Sequence, residues 1–418
     1  MASAVHTMSN PSRRAVFLFV DFFLIITAYY QLKPASRSLF IEHLGADRLP
    51  FVWIGTALIL LIAMPFYQRL VARHLRETVV IGTCLGFAAL LGLFWGLLLR
   101  PTAPVAALFY VLVDILSVAM VEQFWSLANS LYTTAEGRRW YGVIGTGGLL
   151  GGVTGGATAA ALIRWTPMGT TDLLLVAAGI LVVTAILTAW MGRLGLYRSG
   201  VARRSGGATG GWRALTGSRY LLLIATLLLL AQFAEPVVEF QLMTAVADAY
   251  TEQEARTAWL SGFFSVLGLV SIAVNLGLTP LIHRLRGAIA GLLVQPLALA
   301  VTASVFLAQP SLMLAAVMKI SDRGLSYSIN RASKELLYIP IDPVLIYQAK
   351  AWIDMFGYRL FKVIGSLAIL ALTQWLPWRA SAPELSWLTL AICTAWLAVI
   401  VMLLRGDYQR MTAVPLAD

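Results

Sequence analysis

Charge is scarce in this 418-residue chain. Asp, Glu, Lys and Arg together make up 12% of it, about half the share of an ordinary soluble domain. With 59% of its residues hydrophobic, such a chain cannot face water over its whole surface, so a soluble globular fold is excluded. Cysteine is nearly absent. Cys84 and Cys393 both fall inside apolar runs, which reads as packing and excludes a disulfide framework or a redox motif. The four histidines, His6, His43, His74 and His283, lie far apart at expected loop or terminal positions, and no metal-ligand spacing links them. No nucleophile–base–orienter grouping is visible, so no enzyme, cofactor or metal is expected.

What the chain has is apolar length. Runs of about 20 residues, enough to cross a hydrocarbon core of ~30 Å, recur from end to end. A bilayer is therefore the expected solvent and helix the expected structure, because a helix satisfies its own backbone groups there. The pattern predicts an all-α polytopic membrane protein of about twelve spans, at roughly 15–36, 49–68, 78–99, 104–131, 140–164, 172–194, 218–245, 257–280, 287–308, 311–330, 350–376 and 385–404. The first run is longer than a signal-peptide core and has no small-residue cleavage site, so it is expected to remain as a span.

The net charge of +11 is placed in short loops rather than in a nucleic-acid-binding module. About 20 basic residues, including Arg13, Arg14, Arg69, Arg73, Arg76, Arg138, Arg139, Arg203 and Arg204, fall on the side of both termini, against about 7 on the other. Both termini are thus expected in the cytoplasm. The longest connection is rich in Gly, Ser and Arg, as a flexible linker is. It predicts an N-terminal six-helix bundle (1–194), a cytoplasmic linker (195–217) and a C-terminal six-helix bundle (218–418).

Charge inside a span costs ~2.5–3.5 kcal/mol near the bilayer centre and normally faces a bundle interior or a watery cavity. The first span carries Asp21, with Lys33 and Arg37 at its outer end. The fourth carries Asp114 and Glu122, the seventh Glu235 and Glu239, and the tenth Lys319, Asp322 and Arg323. Charged spans therefore recur every three, as in a major facilitator-like fold whose repeats place their first helices on a central pathway. The eleventh span departs from the rule with Arg359 and Lys362. Glu235 and Glu239 lie on one helical face around Pro236 and read either as coupling or gating groups or as a structural ion pair. Asp322 can neutralise one neighbouring base, which leaves a cation over. Arg359 and Lys362 suit an anionic ligand or carboxylates reaching across, while Lys33 and Arg37 either join them or snorkel to the interface. Gly145 to Gly156 lacks the ending of a phosphate-binding loop and repeats small residues four apart, which reads as helix packing.

Local motifs add a family. Tyr327-Ser328, Lys334-Glu335, Tyr338-Ile339-Pro340, Asp342, Lys350-Ala351 and Ile353-Asp354 follow one another at separations similar to those of the ATP/ADP translocase family. The first span ends YYQLKPASRSLF, resembling the family's Tyr-x-x-Leu-Arg with Lys33 in the place of the arginine. Phe124-Trp125, Ala128-Asn129, Glu136, Arg138, Arg139 and Tyr141 also match in order. The resemblance sets Asp114 and Glu239 on two functional glutamates. It implies alternating access on a nucleotide or related anion, with Lys33, Arg37, Lys319, Arg323, Arg359, Lys362 and Lys350 as anion contacts and Asp114, Glu239 and Glu235 as coupling or gating groups. Two family lysines are replaced by Ser36 and Met243, which fits a smaller or amphipathic anion equally well.

The expected partners are a small anion and membrane lipid, with no nucleic acid, and a monomer is expected. Two other readings compete. One is a proton-coupled carrier or exporter of a lipid-like or neutral solute, with Asp114, Glu235 or Glu239 as the proton site. The other is a receptor or assembly subunit that transports nothing.

Overall fold

The computed structural model describes residues 11–73, 75–197, 216–338, 345, 353 and 357–403. Much of the motif stretch from Tyr327 to Asp354, with Asp342, Lys350 and Asp354, lies outside these residues, as do Arg203 and Arg204 of the linker. Every regular element among the described residues is helical. The helices are α1 (Pro11–Leu44), α2 (Leu49–Arg73), α3 (Arg76–Leu97), α4 (Ala103–Leu131), α5 (Thr134–Trp165), α6 (Leu173–Arg193) and α7 (Arg219–Ala249). Helix α8 begins as Gln253–Ala273 and runs on through a π-turn, Val274–Leu278, to residue 286. Gly287 then takes φ 76° and breaks the rod, so 288–308 is a separate helix, α9. Only glycine adopts that backbone conformation without strain.

Helix α10 starts as Leu312–Lys319 and passes through two π-turns, Ile320–Gly324 and Ser326–Asn330, into Arg331–Leu337. Helix α11 is Tyr358–Leu370 with a closing π-turn, Ala371–Trp375, and α12 is Ser386–Met402. Nine stretches among the described residues are long and apolar enough to cross a bilayer, and one of them, Gln253–Ala308, contains the Gly287 break. With that stretch counted as two, and with α10 and α11, the total is the expected twelve.

Two boundaries differ from the expectation. Helix α1 has 34 residues, a rod of ~51 Å at 1.5 Å per residue, so Lys33 and Arg37 sit within the helix and not at its end. His43 and His283 are likewise helical and not in loops. His283 Nε2 lies 2.8 Å from Ser333 Oγ, and this hydrogen bond explains a histidine on a helix face.

The described residues form two compact units. The first takes those within 1–45, 58–204 and 250–268, and the second those within 46–57, 205–249 and 269–418. In the first unit α1 is the central rod. Leu18, Ile25, Leu32 and Leu39, seven apart, are each no more than 1% exposed. Glycines of α5 let the two backbones touch: a Cβ added at Gly147, Gly151 or Gly155 would collide with the carbonyl oxygens of Phe19, Phe23 and Thr27, one turn apart. This is the small-residue packing expected where no hydrophobic effect drives helices together. Gln31 Nε2 seals the seam, donating to Gly155 O at 3.2 Å and to Thr158 Oγ1 at 2.7 Å.

In the second unit, Tyr220, Leu221, Ile224 and Leu227 of α7 pack with Leu292 of α9, Leu337 of α10 and Trp396 and Ile400 of α12. Tyr220 donates its hydroxyl to Leu337 O at 2.9 Å. Helix α7 stays continuous through Pro236. Gly365 of α11 makes room for the proline ring, since a Cβ there would come within 2.5 Å of Pro236 Cγ.

Candidate functional site

Each unit buries a group of charges. In the first, Arg37 of α1 is 6% exposed, and its Nη2 lies 3.6 Å from Asp114 Oδ1 of α4. The guanidinium stands 4.9 Å from the Tyr110 ring centroid, and Nη1 donates to Ser36 Oγ at 3.2 Å. Arg37 is therefore held inside the bundle and does not snorkel. One turn earlier, the Lys33 ammonium lies 4.0 Å from the Phe264 ring centroid and 5.4 Å from that of Tyr30. Aromatic faces attract a cation by their quadrupole and so help to hold the charge inside the bundle.

The second unit gathers five charges from two helices. Lys319 Nζ of α10, 2% exposed, is 2.9 Å from Glu239 Oε2 of α7 and 3.2 Å from Asp322 Oδ2 on its own helix. Arg323 pairs with Glu235 through Nη2, and its Nε lies 4.0 Å from Asp322 Oδ2. The cation expected to be left over is thus also taken by a carboxylate. Glu235 and Glu239, one turn apart, avoid repulsion because each has its own base from the same unit.

The π-turns explain how α10 presents three charges together. Wound one residue wider per turn, the helix passes Asp322 and Arg323 through the first of these turns, and the carbonyl of Asp322 takes a bond from outside the helix. Gln295 Nε2 of α9 donates to it at 2.8 Å, and Asn330 in turn donates to Gln295 Oε1.

Arg359 and Lys362 lie three apart on α11, both half-buried. The same helix meets α7 through Phe361 and Phe233, ring centroids 6.4 Å apart. The residues that stand in place of the two family lysines, Ser36 and Met243, are fully buried. Lys350 lies outside the described residues.

Sequence reasoning missed one ionic centre. Arg256 at the start of α8, 4% exposed, had been counted only for topology. It donates to Glu42 Oε2 at 3.0 Å, to Ser38 O at 3.2 Å and to Tyr250 O and Thr251 O. Glu254 beside it accepts from Thr170 N and Oγ1 at 2.8 and 2.7 Å. Arg256 and Glu42 are 214 positions apart, so no local spacing could have revealed them.

Chemically, these are cations whose carboxylate partners an arriving anion can replace. A guanidinium in particular binds carboxylate and phosphate with the same two-pronged geometry. The family model described as TLC ATP/ADP transporter matches residues 103–312 and 309–408, most of the chain. The chain belongs to the TLC ATP/ADP transporter family.

Among curated relatives of this TLC transporter chain, an ADP,ATP carrier protein 1 of Chlamydia trachomatis is 27% identical over 304 residues, 62% of this chain and 57% of the relative. Its counterpart in Chlamydia muridarum is 27% identical over 343 residues, 68% and 64%. An ADP,ATP carrier protein 4 of Rickettsia conorii is 23% identical over 299 residues, 61% and 58%. The matched region thus spans less than two thirds of the length of these relatives.

Among solved structures, the nucleoside transporter NupG is similar with a TM-score of 0.63 at 10% identity, over 96% of this chain and 99% of that one. A bacterial homolog of the human lysosomal transporter Spinster gives 0.60 at 14%, over 96% and 93%. At these identities the likeness shows the fold alone. The chain is an all-α, multi-pass membrane protein with the fold of these solved structures.

Proposed function

We propose that this chain is a secondary active transporter of a nucleotide or related phosphorylated anion, working by alternating access in the cytoplasmic membrane with both termini inside. Family membership carries the reading, and the buried cations supply its chemistry. Two six-helix halves, 1–194 and 218–418 around the linker 195–217, perform the cycle. Lys33, Arg37, Lys319, Arg323, Arg359 and Lys362 contact the anion, with Lys350 near the cytoplasmic mouth. Asp114, Glu239 and Glu235 hold Arg37, Lys319 and Arg323 when no anion does, so release of these carboxylates accompanies loading. The protein is a carrier and not an enzyme, and it acts as a monomer.

Reversing the charge at Arg359 or Lys362 (Arg359→Glu, Lys362→Glu) is expected to abolish uptake of labelled ATP or ADP into proteoliposomes while the protein still folds and inserts. Normal uptake by both variants removes the anion site. A second reading is favoured by Ser36 and Met243, buried and uncharged where family carriers hold lysines: the cargo carries fewer phosphates than ATP. Uptake of monophosphates or sugar phosphates in preference to ATP decides for it.

A further inference from the structure

Asp21 takes no part in the reading above. It lies on α1 sixteen residues before Arg37, ~24 Å along the rod at 1.5 Å per residue, and none of its surface is exposed. Thr188 Oγ1 of α6 donates to Asp21 Oδ1 at 3.2 Å, while Asp21 Oδ2 has no hydrogen-bond partner among the described residues. The described side chains nearest to it are neutral. Helix α3 brings the buried thiol Cys84. Helix α4 stacks Phe124 on the adjacent Phe22 at 4.4 Å between centroids, and α5 sets Gly147, Gly148 and Gly151 against Phe19, Phe22, Phe23 and Ile26 of α1. Among the described residues no lysine or arginine acts on the carboxyl, in contrast to Asp114 and the three carboxylates of the second unit.

An ionised carboxylate sealed in such a place, with one hydroxyl and no cation, is far costlier than the neutral acid. Thr188 also links the site to a residue nearer the surface. After α6 the chain turns at Gly195 (φ 65°) and returns Tyr197, whose hydroxyl donates to Thr188 O at 2.9 Å. Tyr197 is half-buried where Asp21 is closed off. Burial, then the nearness of Glu77 at the first turn of α3, push the Tyr197 phenol up from its ordinary range, so it stays a neutral plug. Glu77 is partly exposed.

We propose that Asp21 is a proton-binding site, carried in this state as a neutral carboxylic acid with the proton on Oδ2, and that Tyr197 closes its path to water at Glu77. The proton leaves to that water when Tyr197 moves and returns the same way, with no other bond made or broken. A transport cycle that moves Tyr197 thereby acquires a proton step at a place remote from the cargo cations.

Infrared spectroscopy of the purified full chain tests this without any transported substrate. The wild type at neutral pH is expected to show a protonated-carboxyl C=O stretch that disappears in Asp21→Asn and changes frequency in Thr188→Val. In deuterated buffer that band is expected to exchange several-fold faster in Tyr197→Ala. Superimposable carboxyl spectra of wild type and Asp21→Asn overturn the site, and unchanged exchange in Tyr197→Ala overturns the plug. Should Asp21→Asn fail to fold, Asp21→Glu must move the band, and an unmoved band is equally fatal.

Discussion

The two buried charge groups differ in more than number. Arg37 and Asp114 meet between two α-helices without π-turns, their nitrogen and oxygen 3.6 Å apart. Lys319, Glu239, Asp322, Arg323 and Glu235 form a chain of contacts, three of them on a helix that carries π-turns. In the chain Lys319 and Asp322 each serve two partners, so losing one strands another. In the pair, only one partner is left behind. The lesson is that equal burial does not mean equal rigidity: the network holds its carboxylates through several linked contacts, while the pair has the looser geometry, so an anion displaces Asp114 more readily than Glu239.

The hardest blow to this contrast is Lys319→Met, which leaves Glu239 and Asp322 facing each other without their shared cation. Removing one partner of a buried pair typically costs ~3–5 kcal/mol, so the melting temperature in detergent should fall steeply and recover in part with Glu239→Gln added. An unchanged melting temperature means the network locks nothing. Next in size is Gly151→Leu, which drives α5 away from α1; overpacking costs ~1–3 kcal/mol, read as lost folded yield. Gly179→Leu is its control, because nothing lies within 4 Å of a Cβ built there, and its yield should match the wild type.

The smallest effect belongs to the pair. A double-mutant cycle of Arg37→Gln and Asp114→Asn should give a coupling at the low end of ~0.5–3 kcal/mol, below that of Lys319 with Glu239. A larger coupling at Arg37 reverses the comparison.

Much of this was legible in the chain. Twelve apolar runs gave twelve helices, because a bilayer leaves the backbone no other inexpensive state. The placement of Asp114, Glu235, Glu239, Lys319 and Arg323 in apolar runs marked the helices that carry buried charge. Partner choice was not legible: Arg323 with Glu235, or Arg256 with Glu42, joins residues 88 or more positions apart, and side-chain chemistry alone ranks no cation above another. The break at Gly287 was foreseen as a span boundary, but the π-turns of α10 were not, since nothing in ISDRGLSYSIN departs from ordinary helical composition.

By itself the sequence determined the solvent, the class of fold and the family, because hydrophobic length and short motifs are local properties. Only the tertiary structure decided which charges are held and by what. It set Arg37 against Asp114, shared Lys319 between two carboxylates, and left Asp21 with a single hydroxyl. Those outcomes depend on distances between helices remote in the chain, and in a medium of low dielectric a few ångströms decide whether a charge is kept, paired or neutralised.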